Sequence, residues 1–162
     1  MEMNITPPEI QAILLHQRDI ARSLLEVLTQ EYTALSGNDL QGIETNLAAK
    51  QRLVEQLEEL SLTVLSAASP NSPGNQAGIV RFLKQKDPQG IWDLEKLWQQ
   101  LDKLLSQCRL KNNTNGKIIS LNHRHVQQAL EILRSGGQGS QTCYTSTGTS
   151  QSPISSRSLG KV

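Results

Sequence analysis

Aromatic residues are scarce in this 162-residue chain: Tyr32, Phe82, Trp92, Trp98 and Tyr144 amount to 3%, and only 36% of residues are hydrophobic. So small a supply excludes a thick globular interior and disfavours a β-sandwich; it suits a thin, elongated core of Leu, Ile, Val and Ala. Cysteine is nearly missing too. Cys108 falls in a helical pattern and Cys143 in a polar stretch, so there is no disulfide framework. Neither sign of charge dominates: 16 Lys and Arg against 15 Asp and Glu leave +1, which argues against a nucleic-acid binder. No apolar run approaches the roughly 20 residues of a membrane span. Met1-Glu2-Met3-Asn4 lacks the basic and apolar regions of a signal peptide. The expectation is a single cytoplasmic domain without membrane insertion.

What the chain does have is helical periodicity. Thr6-Pro7-Pro8-Glu9 has the form of a capping box with proline at the first helical position, where its missing N–H costs nothing. Ile10, Leu14, Ala21, Leu24, Leu28 and Leu35 then recur on alternating steps of four and three once Gln17 and Glu31 are counted. Ser36-Gly37-Asn38 predicts the end of this helix, with Gly37 in the left-handed C′ conformation. A second helix is predicted from about Asp39 to Ala68 on the stripe Leu40, Ile43, Leu47, Lys50, Val54, Leu57, Leu60 and Val64, the Lys50 stem snorkelling to keep its ammonium wet. The short loop between them makes an antiparallel hairpin.

Residues 69–75, with two prolines and a glycine, cannot continue the helix. A short helix is expected at 77–86, followed by a turn at Asp87-Pro88-Gln89-Gly90. From Ile91 the steps of three and four land on Leu94, Trp98, Leu101, Leu105, Cys108, Asn112, Asn115, Ile119, Asn122, Val126, Ala129 and Leu133 without a slip. Asn115-Gly116 is a turn signal, but a turn would reset the phase of the stripe, and the phase is kept. One continuous helix over 91–134 is therefore predicted. From Ser135 onward 20 of the last 28 residues are Ser, Thr, Gly or Gln, a composition expected to form a mobile tail. The predicted fold is all-α: an elongated antiparallel hairpin plus a long third helix, a coiled-coil-like bundle over 1–134 with a disordered tail over 135–162.

At about 1.5 Å per residue, the third helix outruns the hairpin by roughly 20 Å. If the surplus is C-terminal it presents Val126, Ala129, Leu130 and Leu133, a stripe able to accept a partner's amphipathic helix. The seam asparagines Asn112, Asn115 and Asn122 leave two readings open. One is register specification inside the bundle. The other is a polar patch where a partner's backbone approaches closely, Gly116 clearing the space.

Asn112-x-x-Asn115-Gly116, then Gln127-Gln128-Ala129-Leu130-Glu131-Ile132-Leu133, then a Ser/Gly-rich tail with Tyr144 and Gly148, resembles the FlgN family of flagellar type III export chaperones. The family's tail pattern Y-G-x-x-G here reads Tyr144-Thr145-Ser146-Thr147-Gly148, without its first glycine. The resemblance implies a cytoplasmic chaperone, with no cofactor, for the C-terminal segments of the hook–filament junction proteins FlgK and FlgL. Cargo would be held by Asn112, Asn115, Gly116, Ile119, Asn122, Val126, Ala129, Leu130 and Leu133, and Tyr144 would touch the cytoplasmic domain of the export-gate component FlhA.

Nothing in the sequence assembles an enzyme or a metal centre. His123 and His125 are two apart on a helix and point to different faces. Cys108 on the seam reads as a buried, inert thiol, and Glu55, Glu58 and Glu59 as a solvated helix face. There is no P-loop and no G-x-G-x-x-G. The alternative to a chaperone is a structural or regulatory coiled-coil adaptor that dimerises through the third helix.

Overall fold

The computed structural model describes residues 5–68 and 76–134, all of whose regular elements are helices: α1 (Pro7–Gly37), α2 (Leu40–Ala68), α3 (Gln76–Lys86) and α4 (Leu94–Arg134). The predicted loop at 69–75 and the predicted tail from 135 lie outside the described residues. The chain divides into two compact units, residues 1–119 and residues 120–162.

In the first unit, α1 begins as its sequence requires. The Glu9 carboxylate accepts hydrogen bonds from the Thr6 backbone N–H (2.8 Å) and hydroxyl (2.7 Å). These two bonds, the backbone one foremost, hold the Glu9 carboxyl below the ordinary glutamate range. The predicted stripe is the buried face: Ile10, Leu14, Gln17, Ala21, Leu24, Leu28, Glu31 and Leu35, widened by Ile20 and Ala34.

The turn into α2 differs in one position. Asn38, not Gly37, takes the left-handed conformation (φ 55°), and Gly37 is the last helical residue. Asparagine tolerates this region because its short amide can bond locally. Asp39 N–H donates to the Ala34 carbonyl (2.9 Å), and Asp39 Oδ1 accepts from Gly42 N–H (3.1 Å), opening the next helix. Glycine is needed at 42, where a Cβ would collide with the Asp39 carboxylate and lie 3.2 Å from Ala34 Cβ.

The inward face of α2 keeps Ile43, Lys50, Leu57, Leu60 and Val64 of the predicted stripe and takes Asn46 and Leu53 in place of Leu47 and Val54. Asn46, Leu57 and Val64 are buried, and Lys50, Leu53 and Leu60 between them are half-buried, giving a strict four–three spacing. Leu40, Leu47 and Val54 of the expected stripe are exposed. Lys50, which lies on the predicted stripe and on the observed face alike, pairs with the buried Glu31 of α1, so its ammonium is not left in solvent as expected.

The α3 helix packs Ile79 and Leu83 into a cluster with Ile10, Leu14 and Ala21 of α1 and Leu94, Leu97 and Leu101 of α4. A second cluster joins Ile20, Leu24 and Leu28 to Leu57 of α2 and Cys108 of α4. The start of α4 is also corrected. Ile91 is 70% exposed and outside the helix, because Gly90 and Asp93 both take positive φ and Asp87 Oδ2 accepts from the N–H groups of Trp92 (3.0 Å) and Leu94 (3.4 Å). From Leu94 the helix runs unbroken through Asn112–Gly116, as the kept phase predicts. Among the described residues no helix is long and apolar enough to cross a membrane.

Candidate functional site

The organising feature of the first unit is a polar junction inside an apolar interior. Glu31 of α1 is 3% exposed; its Oε1 lies 2.6 Å from Lys50 Nζ of α2, and its Oε2 accepts from Asn115 Nδ2 of α4 at 2.7 Å. The other Asn115 amide proton goes to the Leu28 carbonyl at 2.9 Å. One carboxylate thus ties three helices at a single level. Lys111 Nζ sits 4.5 Å above the Tyr32 ring beside it, a further tie between α4 and α1. Asn115 belongs to the interior (1% exposed), the location that its register reading requires and its partner-contact reading does not. A buried amide with both protons engaged cannot slide by a turn without stranding them.

Beyond that junction, α2 and α4 leave a trough over α1 with a volume of about 820 Å³. Its floor is Leu24, Leu28, Leu57 and Cys108, and its walls are Val54, Leu62 and Leu65 from α2 and Leu105 from α4. Cys108 donates to the Ala21 carbonyl at 3.5 Å and is buried as expected, and that burial pushes its thiol above the ordinary range. Asn112 is exposed and lines the trough. A smaller cavity of about 310 Å³ shares Ser61, Leu65, Leu105 and Arg109 with it and continues to Trp98 of α4 and Ile79 of α3. At that end Gln17, buried on α1, donates to Ser61 of α2 at 3.0 Å.

The remaining predicted residues of the first unit lie on the α4 surface. Gly116 is exposed, and a Cβ there would meet nothing within 4 Å, so no internal packing requires glycine. Ile119 is 48% exposed. In the second unit the described residues 120–134 are helical and every one is exposed: Asn122 and Ala129, and with them Val126 at 57%, Leu130 at 45% and Leu133 at 75%. Leu121 and Ile132 are exposed there as well. Tyr144 lies outside the described residues.

Two features escaped the sequence reading. The Glu31–Lys50 pair was detectable, since opposite charges interrupt the apolar stripes of two helices already predicted to be antiparallel neighbours. The α2 wall of the trough was not, because Leu62 belongs to no predicted stripe and Val54 to one assigned to the interior. His123 and His125 are exposed, and among the described residues no group of three His, Cys, Asp or Glu could hold a metal ion.

A search of curated proteins returns no match, and a search of solved structures returns none either. The family profile described as FlgN protein matches residues 1–152, nearly the whole chain and well beyond the motifs around Asn112–Gly148. The chain belongs to the FlgN family of flagellar export chaperones.

Proposed function

We propose that this chaperone binds the C-terminal segments of FlgK and FlgL in the cytoplasm, prevents their premature association and delivers them to the export gate. The observation that carries the reading is the row of large apolar side chains left in solvent along one face of the helix: Ile119, Val126, Leu130 and Leu133. Few monomeric proteins leave so dense an apolar run idle, and helical spacing suits it to another amphipathic helix. A subunit that polymerises through its terminal helices needs those helices masked until export. Asn112, Gly116, Asn122 and Ala129, all exposed, give the same helix polar and small positions where a cargo backbone can come close. Asn115 contributes indirectly, by fixing the level at which α4 is held on α1. Tyr144 supplies the contact with the cytoplasmic domain of FlhA, a rigid amphipathic side chain of the kind that anchors short linear motifs.

Pull-down of FlgK and FlgL by the full chain tests this. Val126→Asp/Leu133→Asp alters side chains that are exposed and belong to neither core cluster; with an unchanged urea midpoint verifying the fold, cargo capture falls at least about tenfold. Undiminished capture moves the cargo surface elsewhere. Tyr144→Ala keeps cargo and loses gate-domain capture; unchanged gate capture refutes the role of that residue. Sedimentation showing a tight dimer in place of a one-to-one cargo complex would favour a scaffold protein over a chaperone.

A further inference from the structure

The trough between α2 and α4 has a chemistry of its own. Val54 (38% exposed) and Leu62 (66%) stand in solvent along one wall, facing the half-buried Leu105 on the other. The rims carry opposite charges: Glu55 and Glu58 on α2, Arg109 on α4. All three are exposed, and none makes an ion pair among the described residues. The one other charge at the lining, Lys50, is already committed to Glu31. On the α2 side the lining runs from Lys50 to Leu65, roughly 24 Å at the helical rise, and the smaller cavity prolongs it towards α3.

These dimensions choose among occupants. A compact small molecule would use a fraction of so long a channel. An extended strand would find no backbone donors or acceptors to pair with, because both walls are helices whose backbone groups are satisfied internally. A helix of about four turns matches the length, and its apolar face meets the leucine walls as the fourth member of a bundle does. The rims then set its polarity.

We propose that this trough seats one amphipathic helix of an export substrate, with Lys or Arg along the edge facing Glu55 and Glu58 and Asp or Glu along the edge facing Arg109. The proposal rests on the chaperone reading above and adds a second cargo surface to it, with a charge rule for what fits. Binding there covers Val54 and Leu62 and gives the three rim charges partners at a partly desolvated edge, where opposite signs favour one orientation of the incoming helix over its reverse.

Fluorescence anisotropy of labelled FlgK and FlgL C-terminal segments with the full chain decides it. Leu62→Asp and Glu55→Lys/Glu58→Lys alter exposed side chains only, and an unchanged urea midpoint verifies the fold. Leu62→Asp weakens binding at least about tenfold. The charge reversal weakens it about fivefold at low salt, a difference that shrinks at high salt. If the unaltered chain binds and both variants bind within about twofold of it, the trough proposal is wrong while the chaperone reading stands. If the unaltered chain binds neither segment, the chaperone reading fails and takes the trough proposal with it. Concentration-dependent self-association abolished by Leu62→Asp would put a second copy of this chain in the trough and overturn the proposal.

Discussion

Helices α1 and α2 are almost equal in length, 31 and 29 residues, with six and seven leucines, yet α1 buries ten residues and α2 three. Apolar content does not explain the difference; the number of neighbours does. The clusters place α1 against α2, α3 and α4, so most of its circumference finds a partner. By contrast α2 keeps Leu40, Leu47 and Leu62 in solvent, and its inward face includes the polar Asn46 and Lys50. A helix that serves as the keel of a bundle spends its leucines on stability. One that forms a wall leaves some of them exposed.

Substitutions on the two helices break or sharpen that contrast. Leu14 of α1 is fully buried, so Leu14→Ala is expected to lower unfolding stability by about 4 kcal/mol, while Leu62→Ala on α2 stays within about 0.5 kcal/mol; urea midpoints at constant m-value measure both. Equal losses would show that α2 is as much keel as wall. Next comes Glu31→Ala, expected to cost about 3 kcal/mol by leaving Lys50 and one of the two Asn115 amide protons unpartnered. It falls at the low end for a broken buried pair because Lys50 keeps a fifth of its side chain in solvent. Glu31→Leu combined with Lys50→Met and Asn115→Leu restores most of that loss if the junction contributes register more than stability. Gly42→Ala is smaller, about 1–2 kcal/mol, since the Asp39 carboxylate must leave its capping position to admit the methyl group.

Two titrations give the smallest effects and have opposite signs. The folded state depresses the Glu9 carboxyl, so its contribution is complete above the ordinary glutamate range and is lost as pH falls through the folded value. Amide exchange in the first turn of α1 should quicken there; Thr6→Ala, which removes the hydroxyl bond and keeps the backbone one, should only reduce the pH dependence, and Glu9→Gln should abolish it. Burial raises the Cys108 thiol, so its contribution is complete below the ordinary thiol range and is lost as pH rises through the folded value. In a Cys143→Ser background, Cys108 should react with a thiol reagent only as fast as the chain opens; rapid labelling of the folded chain would mean that the trough floor is open to solvent.

The α4 helix shows how far periodicity reaches. An Asn-rich run ending in glycine would break an isolated helix, and the expectation of continuity rested wholly on the unbroken phase of the seam on either side. That phase carried through because Asn115 finds both of its donors a partner on α1. The same periodicity misjudged Leu40, Leu47 and Val54 of the second helix, since a leucine stripe records which side chains are apolar and says nothing about whether a neighbour exists to cover them. Ile91 was assigned to the seam for the same reason, although Asp87, four residues earlier, holds the backbone in a turn until Leu94.

Local chemistry determined where three of the helices begin: the Thr6–Glu9 box, Asp39 before Gly42 and the Asp87 carboxylate act within a few residues, and the first was legible from its spacing. Only the packed structure decided which face of α2 turns inward, that one buried carboxylate joins three helices, and that α2 and α4 stand apart over α1 to leave a trough. Those outcomes depend on which charges and volumes meet across sequence separations of 19 to 87 residues, and no one-dimensional pattern contains that distance.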